Sequence, residues 1–275
     1  MTEPGAQLES RARVYTRAVI GLVARDLRVL RRDFMPFLLR TVMNPIMFVF
    51  VFAYLLPTIG EGFHTGPSNT SFGTILVPGL VAVGMIFQGI AAVALPLVNE
   101  FGRTKEIEDR LMAPVPVGMV AIEKIVFGSI QSLLAALVVF PVVYIIPATP
   151  VEVHVSSWPL LVVVLLLASL ISGAFGLVIG TLFKPQRVPL IFSTIVIPIT
   201  FLGCVYYPWA LLAPLRWLQV LVLLNPLVYV SEALRAALTP EVPHMAPEIF
   251  LGAIVAVLAL LTAAGMRFFL RRVTS

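Results

Sequence analysis

Trp217-Leu-Gln-Val-Leu-Val-Leu-Leu-Asn225-Pro226-Leu-Val-Tyr-Val-Ser231 decides the fold of this chain. The stretch is apolar and free of Asp, Glu, Lys and Arg over 15 residues. As a helix it would reach only about 22 Å, at about 1.5 Å per residue. A hydrocarbon core is about 30 Å thick. Asn225-Pro226 shortens it further, because a residue that precedes proline is driven out of the helical region. Whether this stretch crosses a membrane or turns back fixes where both ends of the chain lie.

Six longer uncharged runs surround it. They are Thr41–Gly60 (20 residues), Thr74–Val98 (25), Ile125–Ile146 (22), Trp158–Phe183 (26), Val188–Leu215 (28) and Ile249–Met266 (18). A spanning helix needs about 20 mostly apolar residues. Arg11, Arg13, Arg17, Arg25, Arg28, Arg31, Arg32 and Arg40 precede the first run, which places the N-terminus in the cytoplasm by the positive-inside rule. Six crossings return Arg267, Arg271 and Arg272 to the cytoplasm, whereas a seventh would strand them outside. The deciding stretch is therefore expected to dip into the outer leaflet and return, within a re-entrant segment 208–238 marked by Tyr207, Pro208, Asn225, Pro226, Glu232 and Arg235. Non-spanning backbone at that depth is tolerated where protein or a cavity covers it. The assignment leaves 17 basic residues inside and two, Arg216 and Arg235, outside.

The expected fold class is all-α. It comprises a cytoplasmic N-terminal segment 1–35, a six-span domain 36–270 and a cytoplasmic tail 271–275, in a multi-pass membrane protein. Composition agrees. Of 275 residues 59% are apolar and 12% charged, and mean hydropathy is +1.01. Soluble domains carry about 25% charged residues. This excludes a soluble enzyme, a disordered chain and a nucleic-acid binder, although the net charge is +5. A single cysteine, Cys204, leaves no disulfide framework. The first apolar run begins too late for a cleavable signal peptide and reads as an uncleaved span.

Residues 10–33 read as an amphipathic interfacial helix. Tyr15, Val19, Leu22, Val23, Leu27 and Leu30 follow helical spacing, and the flanking arginines can snorkel to anionic lipid. Asp26 interrupts the apolar stripe, four residues from both Leu22 and Leu30. A second charged stretch covers residues 100–114. Thr104 is a fair N-cap, Glu106, Glu108 and Asp109 lie in or near the first turn, Ile107, Leu111 and Met112 share a face, and Pro114 ends the helix. This is either a solvated loop helix or a knob that docks in a partner's groove.

Chemistry is sparse. No phosphate-cradling loop, zinc motif or nucleophilic triad is present, so no ATP, metal or cofactor site is expected on this chain. Ion-coupled carriers usually place Asp, Glu or His within their spans. Here Glu123 and Lys124 stand at a span boundary. Ser172, Gly176 and Gly180, four apart, allow close helix packing, within one subunit or between two. Tyr206, Tyr207, Trp209, Trp217 and Tyr229 crowd the outer end, as a headgroup belt or as the lining of an exit.

Four segments together resemble one family. They are Val77-Pro-Gly-Leu80, Lys105-Glu-Ile-Glu-Asp-Arg-Leu-Met-Ala-Pro-Val-Pro116, Phe201-Leu-Gly-Cys-Val-Tyr-Tyr-Pro208 and Leu224-Asn-Pro-Leu-Val-Tyr-Val-Ser-Glu-Ala-Leu-Arg235. In order and spacing they resemble the permease subunits of bacterial ATP-binding-cassette exporters of the second exporter type, which export drugs, polysaccharides and nodulation factors. Where many members have Gly-Thr before the acidic stretch, this chain reads Gly102-Arg-Thr104. The resemblance implies a homodimer, or a pair with a close paralogue, served by two separate ATPase subunits that carry ATP and Mg. It also implies that residues 100–114 couple to the ATPase. The absence of charge near the span centres points to an amphipathic or hydrophobic substrate: a drug, a lipid or a lipid-linked glycan. A self-sufficient secondary carrier or channel is the rival reading; it needs no ATPase and should respond to ion gradients.

Overall fold

The computed structural model describes residues 19–55, 72–101, 116–146, 151–183 and 197–274, with isolated positions 58, 187, 190 and 194. Among the described residues the chain is helical and contains no strand. Residues 19–32 form the N-terminal helix, and Asp33 turns the chain. There follow α1 (Phe34–Val49), which runs on as a π-helical stretch Phe50–Leu55, then α2 (Phe72–Asn99), α3 (Val117–Ile145) and α4 (Trp158–Leu182). After them come the short α5 (Ile197–Phe201), α6 (Arg216–Leu221), α7 (Pro226–Leu238) and the long α8 (Pro247–Thr274). Among the described residues five helices are long and apolar enough to cross a membrane. A sixth is counted if Arg216–Leu224 and Pro226–Leu238, bent by 99° at Asn225, are taken as one span.

α2 is the central helix. It packs against α3, α4 and α7, and α8 closes on α4. Its 28 residues span about 42 Å at about 1.5 Å per residue, enough to cross with tilt. Lipid tails are as apolar as leucine, so close packing rather than exclusion of water holds such helices together. Small residues supply that closeness. A Cβ on Gly176 would lie 2.8 Å from Val93 Cβ and 2.9 Å from the Ile90 carbonyl oxygen; one on Gly180 would lie 2.9 Å from Leu97 Cδ2. A Cβ on Gly89 would run into Ser172, and one on Gly173 would come within 2.5 Å of the Ile125 carbonyl oxygen.

Element boundaries differ from the uncharged runs in several places. α3 starts at Val117 rather than Ile125, so Glu123 and Lys124 lie within the helix, at 0% and 2% exposure. α8 continues past Met266 to Thr274. The run Val188–Leu215 is not one helix: α5 ends at Phe201 and the chain turns through residues 202–207. Cys204 has φ of 51°, in the left-handed region that a side chain seldom enters. Gly79 of α2 makes room for this turn, since a Cβ there would collide with the Val205 backbone.

Candidate functional site

The two ends of the bundle carry different polar clusters. The first lies at the end where residues 102–115 join α2 to α3. There a cavity of about 410 Å³ opens between the N-terminal helix, α1, α2 and α3. Lys124 Nζ, on α3, donates to Glu100 Oε1 at 2.9 Å and stands 3.5 Å from Asp26 Oδ2 of the N-terminal helix. Glu100 closes α2 and is 6% exposed. The single lysine therefore ties three elements together. Asp26 interrupts the apolar stripe because it faces this lysine and not lipid.

Other contacts tighten the same end. Arg272, near the end of α8, sets its guanidinium 4.4 Å from the centre of the Phe101 ring. The same side chain donates to the carbonyl oxygens of Thr181 at 2.5 Å and Phe183 at 3.0 Å. It so caps α4, whose last carbonyls have no helical partner. Phe269 meets Phe101 edge-on at 6.0 Å. Deeper in, Thr41 Oγ1 donates to Gln88 Oε1 at 3.4 Å, and Gln88 Nε2 donates to Gln131 Oε1 at 3.0 Å. These side chains link α1 through α2 to α3.

The second cluster organises the hairpin end. Asn225 caps α7 by accepting from the Leu227 N–H at 3.0 Å, with Pro226 in the first helical position, where its missing N–H is harmless. Its Nδ2 donates to the Ile199 carbonyl at 2.6 Å. Glu232 and Arg235 are both fully buried and paired on α7. Glu232 also accepts the backbone N–H of Trp209 at 2.9 Å and of Met245 at 2.8 Å. Arg235 donates to the Cys204 carbonyl at 2.9 Å, and Ser231 donates to Gly203 at 2.7 Å. One ion pair thus holds the 202–207 turn, the Trp209–Leu212 turn and the chain before α8. Tyr206 stacks on Phe48 at 5.2 Å, tying α1 to the same turn. Tyr229 donates to Leu223 at 2.8 Å, and Trp217 stays 68% exposed.

The structure brings Tyr207, Pro208, Asn225, Pro226, Glu232 and Arg235 into this hairpin end. Ser172, Gly176 and Gly180 lie on the α4 face that meets α2 of the same chain. Glu106, Ile107, Glu108, Asp109, Leu111, Met112 and Pro114 lie outside the described residues. No periodic rule singles out Thr41, Gln88, Gln131 or Asp33 in the sequence. The available signal was polarity inside apolar runs, as for Gln88 and Gln131, and an acid set on an apolar stripe, as for Asp26.

The profile of the family described as ABC-2 type transporter matches residues 17–239. The inner membrane transport permease YadH of Escherichia coli strain K12 is 28% identical over 224 residues, covering 81% of this chain and 83% of that protein. The protein of the same name from Shigella flexneri matches to the same extent. Its stacked apolar helices fit a membrane permease, and with the family profile covering most of its length, the chain belongs to the ABC-2 type transporter family.

Proposed function

We propose that this chain is the permease half of an ATP-driven exporter in a bacterial inner membrane. It works with a second permease copy, as a homodimer or with a close paralogue, and with two copies of a separate ATPase subunit that holds ATP and Mg. The substrate is amphipathic or hydrophobic: a drug, a lipid or a lipid-linked glycan. Family membership and the similarity to the permease YadH support the class.

The observation that carries the reading is the clamp at the base of the 102–115 connection. Glu100 lies just before that connection and Lys124 shortly after it, and they are bonded at 2.9 Å. Asp26 joins the N-terminal helix to the same nitrogen. A push delivered to residues 100–114 therefore reaches α2, α3 and the N-terminal helix as one body instead of bending a loose joint. Pro114 and Pro116 stiffen the way into α3. The push comes from the ATPase, which docks through Ile107, Leu111 and Met112, with Glu106, Glu108 and Asp109 meeting basic groups on its surface.

The test is Leu111→Asp in the complete transporter. The expected result is loss of ATPase co-purification, or loss of substrate-stimulated ATP turnover, while the permease still inserts and dimerises. Unchanged co-purification and turnover would remove residues 100–114 from the coupling path.

A further inference from the structure

A groove of about 600 Å³ lies between α3 and α4, toward the hairpin end. Val81 of α2 and Leu234 and Leu238 of α7 line it and are buried. Leu137 and Trp158 line it too and are 70% and 68% exposed. Among the described residues that line it, the Trp158 indole is the only side chain able to form a hydrogen bond.

Its length and depth fit one lipid tail. Along α3 the groove runs from Ile130 to Pro141, about 16 Å at about 1.5 Å per residue. Half of a hydrocarbon core about 30 Å thick is about 15 Å. All 29 residues of α3 span about 43 Å. A core of about 30 Å centred on α3 therefore ends about four residues before Ile145, level with Pro141, and has its mid-plane near Ile130. The groove thus runs from the edge of one leaflet to the mid-plane. At the edge Trp158 offers an indole N–H at the depth where lipid ester and phosphate oxygens lie.

Charge beyond the edge selects the headgroup. Glu152 and Glu241 are exposed there, and the backbone N–H of His154 donates to the Leu238 carbonyl at 3.0 Å, which brings their two segments together. His154 Nδ1 stands 4.0 Å from Glu241 Oε1. Residues 147–157 and 239–248 contain no Lys or Arg. Arg235 is paired with Glu232, and Arg216 stands on α6, which packs on the short turns to either side of it.

We propose that this groove holds one acyl tail of a phospholipid with an ammonium headgroup, as a resident part of the permease and not as cargo. The tail lies against Leu133, Leu161 and Leu165, the Trp158 N–H donates to an ester or phosphate oxygen, and the ammonium faces Glu241. An anionic headgroup meets the same carboxylates and is disfavoured. Such binding depends on α3 and α4 spanning a membrane and is independent of the export reading. The proposed orientation enters only in naming the outer leaflet as the source.

Native mass spectrometry of the full-length permease, without ATPase, tests it. The chain is stripped of lipid in mild detergent and offered equal amounts of phosphatidylethanolamine, phosphatidylcholine and phosphatidylglycerol with the same tails. One phosphatidylethanolamine per chain should be retained, with about a tenfold preference over phosphatidylglycerol. Leu137→Trp should fill the groove and abolish retention of that lipid. Leu137→Ala, which leaves the groove open, should keep it, and so should Leu260→Trp on the exposed face of α8. Glu241→Gln should narrow the preference over phosphatidylglycerol. Retention unchanged by Leu137→Trp, or phosphatidylglycerol held as well as phosphatidylethanolamine, overturns the site. Loss of permease dimers in Leu137→Trp with lipid retention unchanged would assign the groove to a second copy of this chain and overturn it equally.

Discussion

At the scale of single residues, Lys124 carries the most consequence. Its ammonium is buried and holds carboxylates from two other elements. Removing one member of a buried ion pair costs about 3–5 kcal/mol, because the remaining charge is stranded, while replacing the whole set by apolar groups is often neutral. Lys124→Met should therefore lower the thermal midpoint of the purified permease sharply, as followed by its retention as a monodisperse species after heating. Adding Asp26→Leu and Glu100→Gln should recover much of the loss. Additive losses across the three changes would show that the residues do not act as one cluster. Glu232 and Arg235 obey the same logic at the other end. Little of this was legible in the sequence. Glu100 and Lys124 are separated by 24 positions, and no periodic rule links them. Only Asp26, an acid on an apolar stripe, signalled that something cationic faced it.

At the scale of elements, uncharged runs found the helices well and their ends poorly, for one physical reason. A run stops at the first charge, but a helix stops where its backbone loses partners. Lys124 sits inside α3 because its charge is matched, and Arg272 sits inside α8 because it caps α4. The fifth run misled in the opposite way. It is uncharged to Leu215, yet α5 ends at Phe201, since the turn that follows is held by buried hydrogen bonds from Arg235 and Ser231 that no local pattern reveals. Asn225-Pro226 was read correctly as a break, and the chain bends there by 99°. The small-residue spacing in α4 leads to a prediction. Gly176→Leu should wedge α2 from α4, an overpacking that costs about 1–3 kcal/mol. Gly252→Leu on α8, where an added Cβ meets nothing within 4 Å, should cost little. Stepwise unfolding in mixed detergent micelles measures both. Equal loss from the two variants would show that the α2–α4 seam has no special sensitivity.

At the scale of the whole molecule, the N-terminal helix and the end of α8 are drawn to one end of the bundle. Asp26 of the N-terminal helix reaches Lys124, and Phe269 and Arg272 of α8 reach Phe101, one residue from Glu100. All lie where α2 ends and α3 begins. The hairpin end, with Leu224 84% exposed at the bend before α7, lies at the opposite ends of α2 and α8. An odd number of crossings between residues 26 and 272 would put these two at opposite ends, so the contacts fit the proposed even number. The proposed orientation, with the clamped end in the cytoplasm, rests on the distribution of 17 basic residues against two under the positive-inside rule. In a Cys204→Ser background, single cysteines at Ile20, Leu224 and Ser275 should separate accordingly. In sealed right-side-out vesicles a membrane-impermeant maleimide should label Leu224→Cys, and should reach Ile20→Cys and Ser275→Cys only after lysis. Labelling of Ser275→Cys in sealed vesicles would invert or break this topology. It would also move the 100–114 segment away from any cytoplasmic ATPase, so the same measurement bears on the coupling path.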